Sequence, residues 1–277
     1  MSIRSELRGI RAEPDPVRRA RQASALINDL QQQSVELARL RREAIEEAVR
    51  TKGMSFTQVA HEVGLSKGRI TQIRQSAPPV ERAFFGVGPV RVAVPVRTIG
   101  DRDLGVVAAE DARSAESMTN ILRGLAFEVE HFEIPADGSL TIGGDAVVIC
   151  GPKSSRRIAE LIDDDPHFTF GPDDDGRWII TEQSTNVVYR SKMDDKPPTR
   201  QDAAYLSART INDERLIMIA GIHAMGSLGA VTHLAEHLVE LHDHTKTHGN
   251  FSTVINSSFD GLTIAGTEQA TDLHTWD

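Results

Sequence analysis

Two stretches of the chain place a glycine and then small or hydroxyl-bearing residues directly after a continuous apolar run. Gly151-Pro152-Lys153-Ser154-Ser155 follows Ala146–Cys150, and Gly221-Ile222-His223-Ala224-Met225-Gly226-Ser227 follows Leu216–Ala220. Glycine lets a ligand approach the backbone, and free N–H groups at the start of a following helix attract anions. Lys153 adds positive charge, and Ser154, Ser155 and Ser227 add hydroxyl donors. Glu110-Asp111, at the first strand-to-helix junction, would accept bonds from a sugar or base. Together these residues predict a site for a small anionic, nucleotide-like or otherwise phosphorylated ligand. Its expected members are Glu110, Asp111, Gly151, Lys153, Ser154, Ser155, Gly221, His223, Gly226 and Ser227. Neither loop is a Walker A sequence, and GIHAMGSLG is not a Rossmann fingerprint. Such glycines also serve simple chain reversal, and His223 reads equally as a titrating base or as a structural histidine.

Other residue groupings are weaker. His233-Leu-Ala-Glu236-His237 matches the H-x-x-E-H pattern in which two histidines one turn apart bind zinc. A further acidic ligand on a later helix is wanting, so a solvated helix face is the stronger expectation. Cys150 ends an apolar run and reads as a small core residue rather than a nucleophile. The Asp163–Asp165 and Asp173–Asp175 triplets lack EF-hand spacing and read as solvated loops. No catalytic set, metal or cofactor is assigned.

The elements that would position these residues follow from composition and periodicity. The 277 residues are 39% hydrophobic and 26% charged, enough for two domains and a sizeable core. No apolar run is long enough for a membrane span, and the opening residues lack a signal core, which predicts a cytoplasmic protein. One cysteine excludes an internal disulfide framework. The formal charge of −9 is an average over unlike parts. Residues 1–80 hold 14 Lys and Arg against 9 Asp and Glu, a net of +5; residues 81–277 hold 17 against 31, a net of −14. Such asymmetry suggests a basic module joined to an acidic one.

Ser76-Ala-Pro-Pro and Gly86-Val-Gly-Pro89 mark the boundary, at about residue 80 or as late as 88. Beyond it, strands are expected at 90–96, 104–109, 127–134, 146–150 and 216–220, with a last central strand at 251–255. Helices are expected at 111–124 and 156–162, and a long one from the 221–227 loop to about His242. Trp178–Ile180 and Val187–Tyr189 read as a hairpin insertion. Strands alternating with helices imply an α/β domain with a mostly parallel sheet.

The N-terminal module reads as all-helical. Asp15-Pro16 is a helix start, and no Gly or Pro follows until past Arg50. Residues 36–50 are either part of that helix or a separate one. Ala23, Leu26, Leu30, Leu37, Leu40 and Ala44 fall on alternating three- and four-residue steps, with Gln33 in one slot. That spacing suits a coiled-coil seam in a dimer or a packing face within the chain.

Phe56–Gln75 then meets the requirements of a helix-turn-helix in one register. Ala60 is small where the helices cross, Gly64 tolerates positive φ in the turn, and Ser66 is the natural N-cap of the second helix. Val59, Val63, Leu65, Ile70 and Ile73 are expected to face the joint core. The stretch resembles the helix-turn-helix of sigma factor region 4 and related bacterial regulators, over residues 36–76 only; residues 81–277 resemble no family. The resemblance implies that Ser66, Lys67, Arg69, Thr71, Gln72 and Arg74 face double-stranded DNA. Gln72 would read adenine edges, and Lys67 would reach guanine or phosphate. Arg69 and Arg74 would hold phosphates. Gly68 departs from a strong helix, and offers no side chain to read a base.

The expectation is therefore a DNA-binding transcriptional regulator, homodimeric on a two-fold-related site, whose acidic α/β domain senses a small ligand. Two alternatives stand beside it. The α/β domain would be a nucleotide-processing enzyme, such as a glycosidic-bond hydrolase using Glu110, Asp111 and His223, or a protein-docking domain.

Overall fold

A computed structural model describes residues 2–98 and 104–276. The chain divides into two compact units. The first comprises Met1–Val80 with residues 87–89 and 126–128; the second comprises Glu81–Gly86, Val90–Leu125 and Val129–Asp277.

The first unit is helical. A short helix, α1 (Ile3–Ala12), precedes α2 (Pro16–Lys52), a single continuous helix through residues 36–50. Asp15 caps α2, its Oδ1 accepting from the N–H groups of Val17 and Arg18 at 2.8 and 3.0 Å, with Pro16 in the first turn. Gly53 ends it at φ 63°. Ser55 and Gln58 form a reciprocal capping box that starts α3 (Phe56–Glu62). Gly64 turns the chain at φ 67°, and Ser66 Oγ accepts from Arg69 N–H to open α4 (Lys67–Ser76).

Ile45 of α2 packs with Val59, Ala60, Ile70 and Ile73, supported by Ala48, Val49, Met54, Phe56 and Leu65. Val63, expected in this core, is 52% exposed instead. The N–H of Leu65 closes back on Ala60 O at 2.8 Å, so Leu65 fills the joint and Val63 turns outward. The heptad seam of α2 does not form an internal packing face over its second half: Leu37 is 66% exposed and Leu40 44%.

The second unit is α/β. After a 3-10 turn (Val80–Phe85) come β1 (Val90–Pro95), a small ladder of β2 (Arg97–Thr98) with β3 (Gly105–Val106), α5 (Ala109–Gly124) and β4 (Val129–Ile134). Next are β5 (Ala146–Ile149), α6 (Arg156–Asp163), and a three-stranded sheet of β6 (Phe168–Pro172), β7 (Trp178–Glu182) and β8 (Val188–Arg190). A short 3-10 turn (Lys192–Asp194) leads to β9 (Gln201–Ile211), β10 (Glu214–Gly221), α7 (Ala224–Glu236), α8 (Leu238–His248), β11 (Asn250–Asp260), β12 (Thr263–Gln269) and β13 (His274–Trp276).

The main sheet runs β12-β11-β9-β10-β5-β1-β4, with β13 also pairing β11. β4, β1, β5 and β10 are mutually parallel; β9 lies antiparallel to β10, and β11 antiparallel to β9. β11 therefore points the same way as the parallel four, and β9, β12 and β13 oppose them. On one face, α6 and the small sheet bury Ile158, Ile162, Phe168 and Ile180 against Val148, Met218 and Tyr205. Helices α5 and α7 pack on strands β1, β5, β9 and β10 and on each other. Strand residues alternate between the faces, so one sheet serves both layers.

Several expected elements differ. The strand expected at 104–109 contributes only Gly105–Val106 to the small ladder, with Leu104 63% exposed and α5 beginning at Ala109. The long helix expected to reach His242 breaks at His237, whose φ of −114° and ψ of 17° end α7 before α8 begins. The strand expected at 251–255 is central but not last. Among the described residues no helix is long and apolar enough to cross a membrane.

Candidate functional site

In the first unit, α4 buries Ile70 and Ile73 and leaves Ser66, Lys67, Gly68, Arg69, Thr71, Gln72 and Arg74 exposed. Several of these side chains are held within the unit. Arg69 Nη1 donates to Gln72 Oε1 at 2.6 Å, and Thr71 Oγ1 donates back to Lys67 O at 3.2 Å. The Arg74 guanidinium lies 4.0 Å over the Phe56 ring, and its Nε is 3.7 Å from Glu46. Arg74 is thus braced against α2 and α3, a geometry that presents one fixed cation. Lys67 carries no such partner among the described residues.

Gly68 has open space around it, the nearest atom to an added methyl being Ser66 Oγ at 4.0 Å. Gly68→Ala is therefore expected to stabilise the first unit by about 0.5–1 kcal/mol through helix propensity. Thermal unfolding of the full chain measures this; an unchanged or lowered midpoint for the helical unit would contradict it.

In the second unit the parallel strands define where a site can lie. From β1 the chain crosses through α5 to β4 on one side, and from β5 it passes to β10 on the other. The point of reversal lies between β1 and β5, where parallel α/β sheets open a crevice beyond the carboxyl ends of their strands. A cleft of about 660 Å³ lies there. Pro95, Val96 and Arg97 line it after β1, Ala136 after β4, Cys150 and Gly151 after β5, and Gly221 to Ala224 at the end of β10.

Eight of the ten expected ligand residues come together in this cleft: Glu110, Asp111, Gly151, Lys153, Ser154, Gly221, His223 and Ser227. Ser155 and Gly226 lie apart from it. Ser155 is buried, with its hydroxyl donating to Gly138 O at 2.8 Å, so it fixes the loop instead. A methyl at Gly226 would lie 2.4 Å from Ala203 O, so this glycine permits α7 to approach β9. Ser227 lines the cleft, but its Oγ accepts from Gly221 N–H at 2.9 Å.

No family model, curated protein or solved structure matches this chain.

The start of α7, expected to attract an anion, already has one. Buried Asp202 of β9 accepts at Oδ2 from His223 N–H (3.1 Å) and Gly226 N–H (2.6 Å), and at Oδ1 from its neighbour Ala203 N–H (2.9 Å). Burial pushes the Asp202 carboxyl up, opposed by its hydrogen bond to Ser191, the His223 charge and the backbone donors. His223 Nε2 in turn lies 3.0 Å from Asp194 Oδ1, which orients the ring. Asp194 and Asp202 were not expected as site residues. Only the fold brings them to the loop, from 29 and 21 residues away.

Asp111 is the opposite case. It is 3% exposed, its Oδ2 has no hydrogen-bond partner among the described residues, and Arg97 Nη2 pairs with it at 3.6 Å. Burial raises its pKa from 3.8 to about 6, against the pull of Arg97 and with a push from Glu110. The adjacent Cys150 thiol is pushed up to about 12 by burial and by the Asp111 charge, which removes it as a nucleophile at neutral pH.

A carboxyl whose folded pKa is raised contributes stability below its ordinary pKa and loses it as pH rises through the folded value. Asp111→Asn is therefore expected to stabilise the protein above about pH 6, by up to about 3 kcal/mol, with no gain below about pH 4. Denaturant unfolding across this range checks it; a pH-independent difference would contradict it.

The zinc-like histidine pattern does not assemble. Buried His233 bonds Thr267 Oγ1 at 3.1 Å and stacks on His237 at 4.3 Å, and burial lowers its pKa to about 4. No group of three metal-ligating side chains occurs among the described residues. Of the aspartate triplets, Asp165 is buried rather than solvated, accepting from Tyr205 OH at 2.6 Å, and Asp173 pairs with Arg190.

Proposed function

We propose that this protein is a DNA-binding transcriptional regulator whose α/β unit senses a small phosphorylated ligand. The observation that carries the reading is α4: a short helix after a Gly64 turn, anchored by Ile70 and Ile73, with Ser66, Lys67, Arg69, Thr71, Gln72 and Arg74 all exposed. It lies in a segment of net charge +5. Cations and amides on one exposed helix are what phosphate positioning and base reading require. The exposed Leu37 and Leu40 on the α2 seam support a second copy of the chain as the partner. Duplexes selected from a randomised pool by the full chain, and converging on a two-fold-related sequence, would support the reading. No enrichment at low salt would oppose it.

The ligand side of the proposal rests on the cleft beyond the parallel strands, where Arg97 and Lys153 supply positive charge in an otherwise acidic unit. A ligand alters DNA binding only if it binds one arrangement of the protein more tightly than another. One observation favours the enzymatic alternative. Asp111, buried in the cleft with a pKa near 6, has the character of a general acid or base. Turnover of a nucleotide by the full chain, lost in Asp111→Asn, would select that alternative.

A further inference from the structure

Two buried aspartates of the second unit have opposite surroundings. Asp202 accepts three backbone N–H bonds. Asp111 is just as buried, yet its Oδ2 accepts none. An ionised carboxylate only accepts, and leaving one buried without donors is costly. Arg97 Nη2, at 3.6 Å, is within ion-pair but beyond hydrogen-bond distance of that oxygen, so a donor from the cleft that Asp111 lines would complete its surroundings.

The cleft also has a direction. The start of α7 is filled by Asp202, so its N–H groups at His223 and Gly226 are taken. The start of α6 has no side-chain cap, and the loop before it brings exposed Lys153 and the Ser154 hydroxyl to the cleft. An anionic group is favoured on that side, and Glu110 beside Asp111 disfavours one at the other. A cleft of about 660 Å³ is within the range that holds a nucleotide-sized molecule.

We propose that this cleft selects a phosphorylated sugar with free vicinal hydroxyls, a ribonucleotide or a pentose phosphate, with its diol on Asp111 and its phosphate toward Lys153. The inference rests on the ligand-sensing reading above and specifies its ligand. Two adjacent hydroxyls supply two neutral donors to one carboxylate, whereas a phosphate brings net negative charge that the carboxylate repels. The groups around Asp111 are Arg97 from β2, Glu110 from α5 and the Cys150 thiol after β5, with Lys153 and His223 also on the cleft wall. Donors from a diol favour the ionised form of Asp111, so near pH 6 the diol adds proton release from Asp111 to whatever the phosphate itself releases, and at pH 8 it adds none.

Calorimetric titration of the full chain tests this with four probes: adenosine monophosphate, its analogue lacking both ribose hydroxyls, ribose phosphate and inorganic phosphate. The expected result is that the analogue binds at least about tenfold more weakly than adenosine monophosphate. Asp111→Asn is expected to erase that difference, and Lys153→Ala to weaken both nucleotides together. A thermal melt establishes that each variant is folded. Titration near pH 6 in buffers of different ionisation enthalpy is expected to reveal more proton release with adenosine monophosphate than with its analogue, the phosphate contribution being common to both. Equal affinity for the nucleotide and its analogue would overturn the diol assignment while leaving phosphate sensing intact. Ribose phosphate binding as well as adenosine monophosphate identifies the sugar phosphate as the recognised unit. Failure of all four probes would overturn both this inference and the phosphorylated-ligand reading beneath it.

Discussion

Asp202→Asn is expected to lower the stability of the α/β unit by roughly 2–4 kcal/mol, because it strips a buried cap from the start of α7. The carboxylate accepts from three backbone N–H groups, those of Ala203, His223 and Gly226. An asparagine in the same place turns one acceptor into a donor, so an N–H group meets another N–H group without water to intervene. The neighbourhood has little room to relax: a methyl on Gly221 would lie 2.1 Å from His223 O, and one on Gly226 2.4 Å from Ala203 O. In a unit of this size such a loss lowers the thermal midpoint by roughly 5–15 °C. The substitution is also expected to weaken ligand binding, since His223 and Ser227 line the cleft from the same turn. A midpoint within a degree or so of the parent protein would show that Asp202 does not hold this turn.

That turn illustrates what can be read from sequence and what cannot. The glycines at 221 and 226, after a buried apolar strand, mark a strand-to-helix junction whatever its purpose. Their local pattern is the same whether the N–H groups await an anion or already hold one. The deciding residue, Asp202, lies on β9, whose interior is buried from Asp202 to Arg209. Ala, Ser and Arg interrupt the apolar pattern of β9, so its sequence carries no continuous strand signal. Arg209 is nevertheless buried, its Nη1 donating to Leu161 O at 2.7 Å. The antiparallel pairing of β9 and β10 turns on Asn212 and Asp213, both at positive φ, a two-residue hairpin signal that was present in the sequence.

Elements with strong local determinants were legible. The cap at Asp15, the Gly64 turn and the Ser66 cap each satisfy a backbone requirement within a few residues, and each is realised. The four-residue run of β5 is buried throughout because helices and strands cover both faces of the sheet. Val63 and Leu65 were not distinguishable by period alone, since the positive φ at Gly64 decides which of the two reaches the core. For the site, residue type and junction position mark Glu110, Asp111, Lys153 and His223, and the order of the parallel strands gathers them. Arg97 was not legible, because only the β2–β3 ladder after β1 carries it to Asp111.

The larger effect is expected on DNA. Lys67 and Arg69 open α4 on its exposed side, in the first turn that Ser66 caps through the Arg69 N–H. Reversing both charges replaces attraction to phosphate by repulsion, twice over in the proposed dimer. Lys67→Glu with Arg69→Glu is therefore expected to weaken DNA binding by more than about a hundredfold at low salt. Both side chains are exposed and away from the Ile70–Ile73 core, so the fold is expected to be retained. Gln72→Ala, in contrast, is expected to change sequence preference by about 1–3 kcal/mol at one base pair.

The most direct measurement is a fluorescence anisotropy titration of the full chain, parent and charge-reversed, against duplex DNA over a series of salt concentrations. The proposed function predicts that log affinity for the parent falls steeply with log salt, and that the charge-reversed protein, equally folded, has lost nearly all binding. Parent binding that is absent at the lowest salt, or indifferent to the two reversals, would contradict a DNA-binding role for α4.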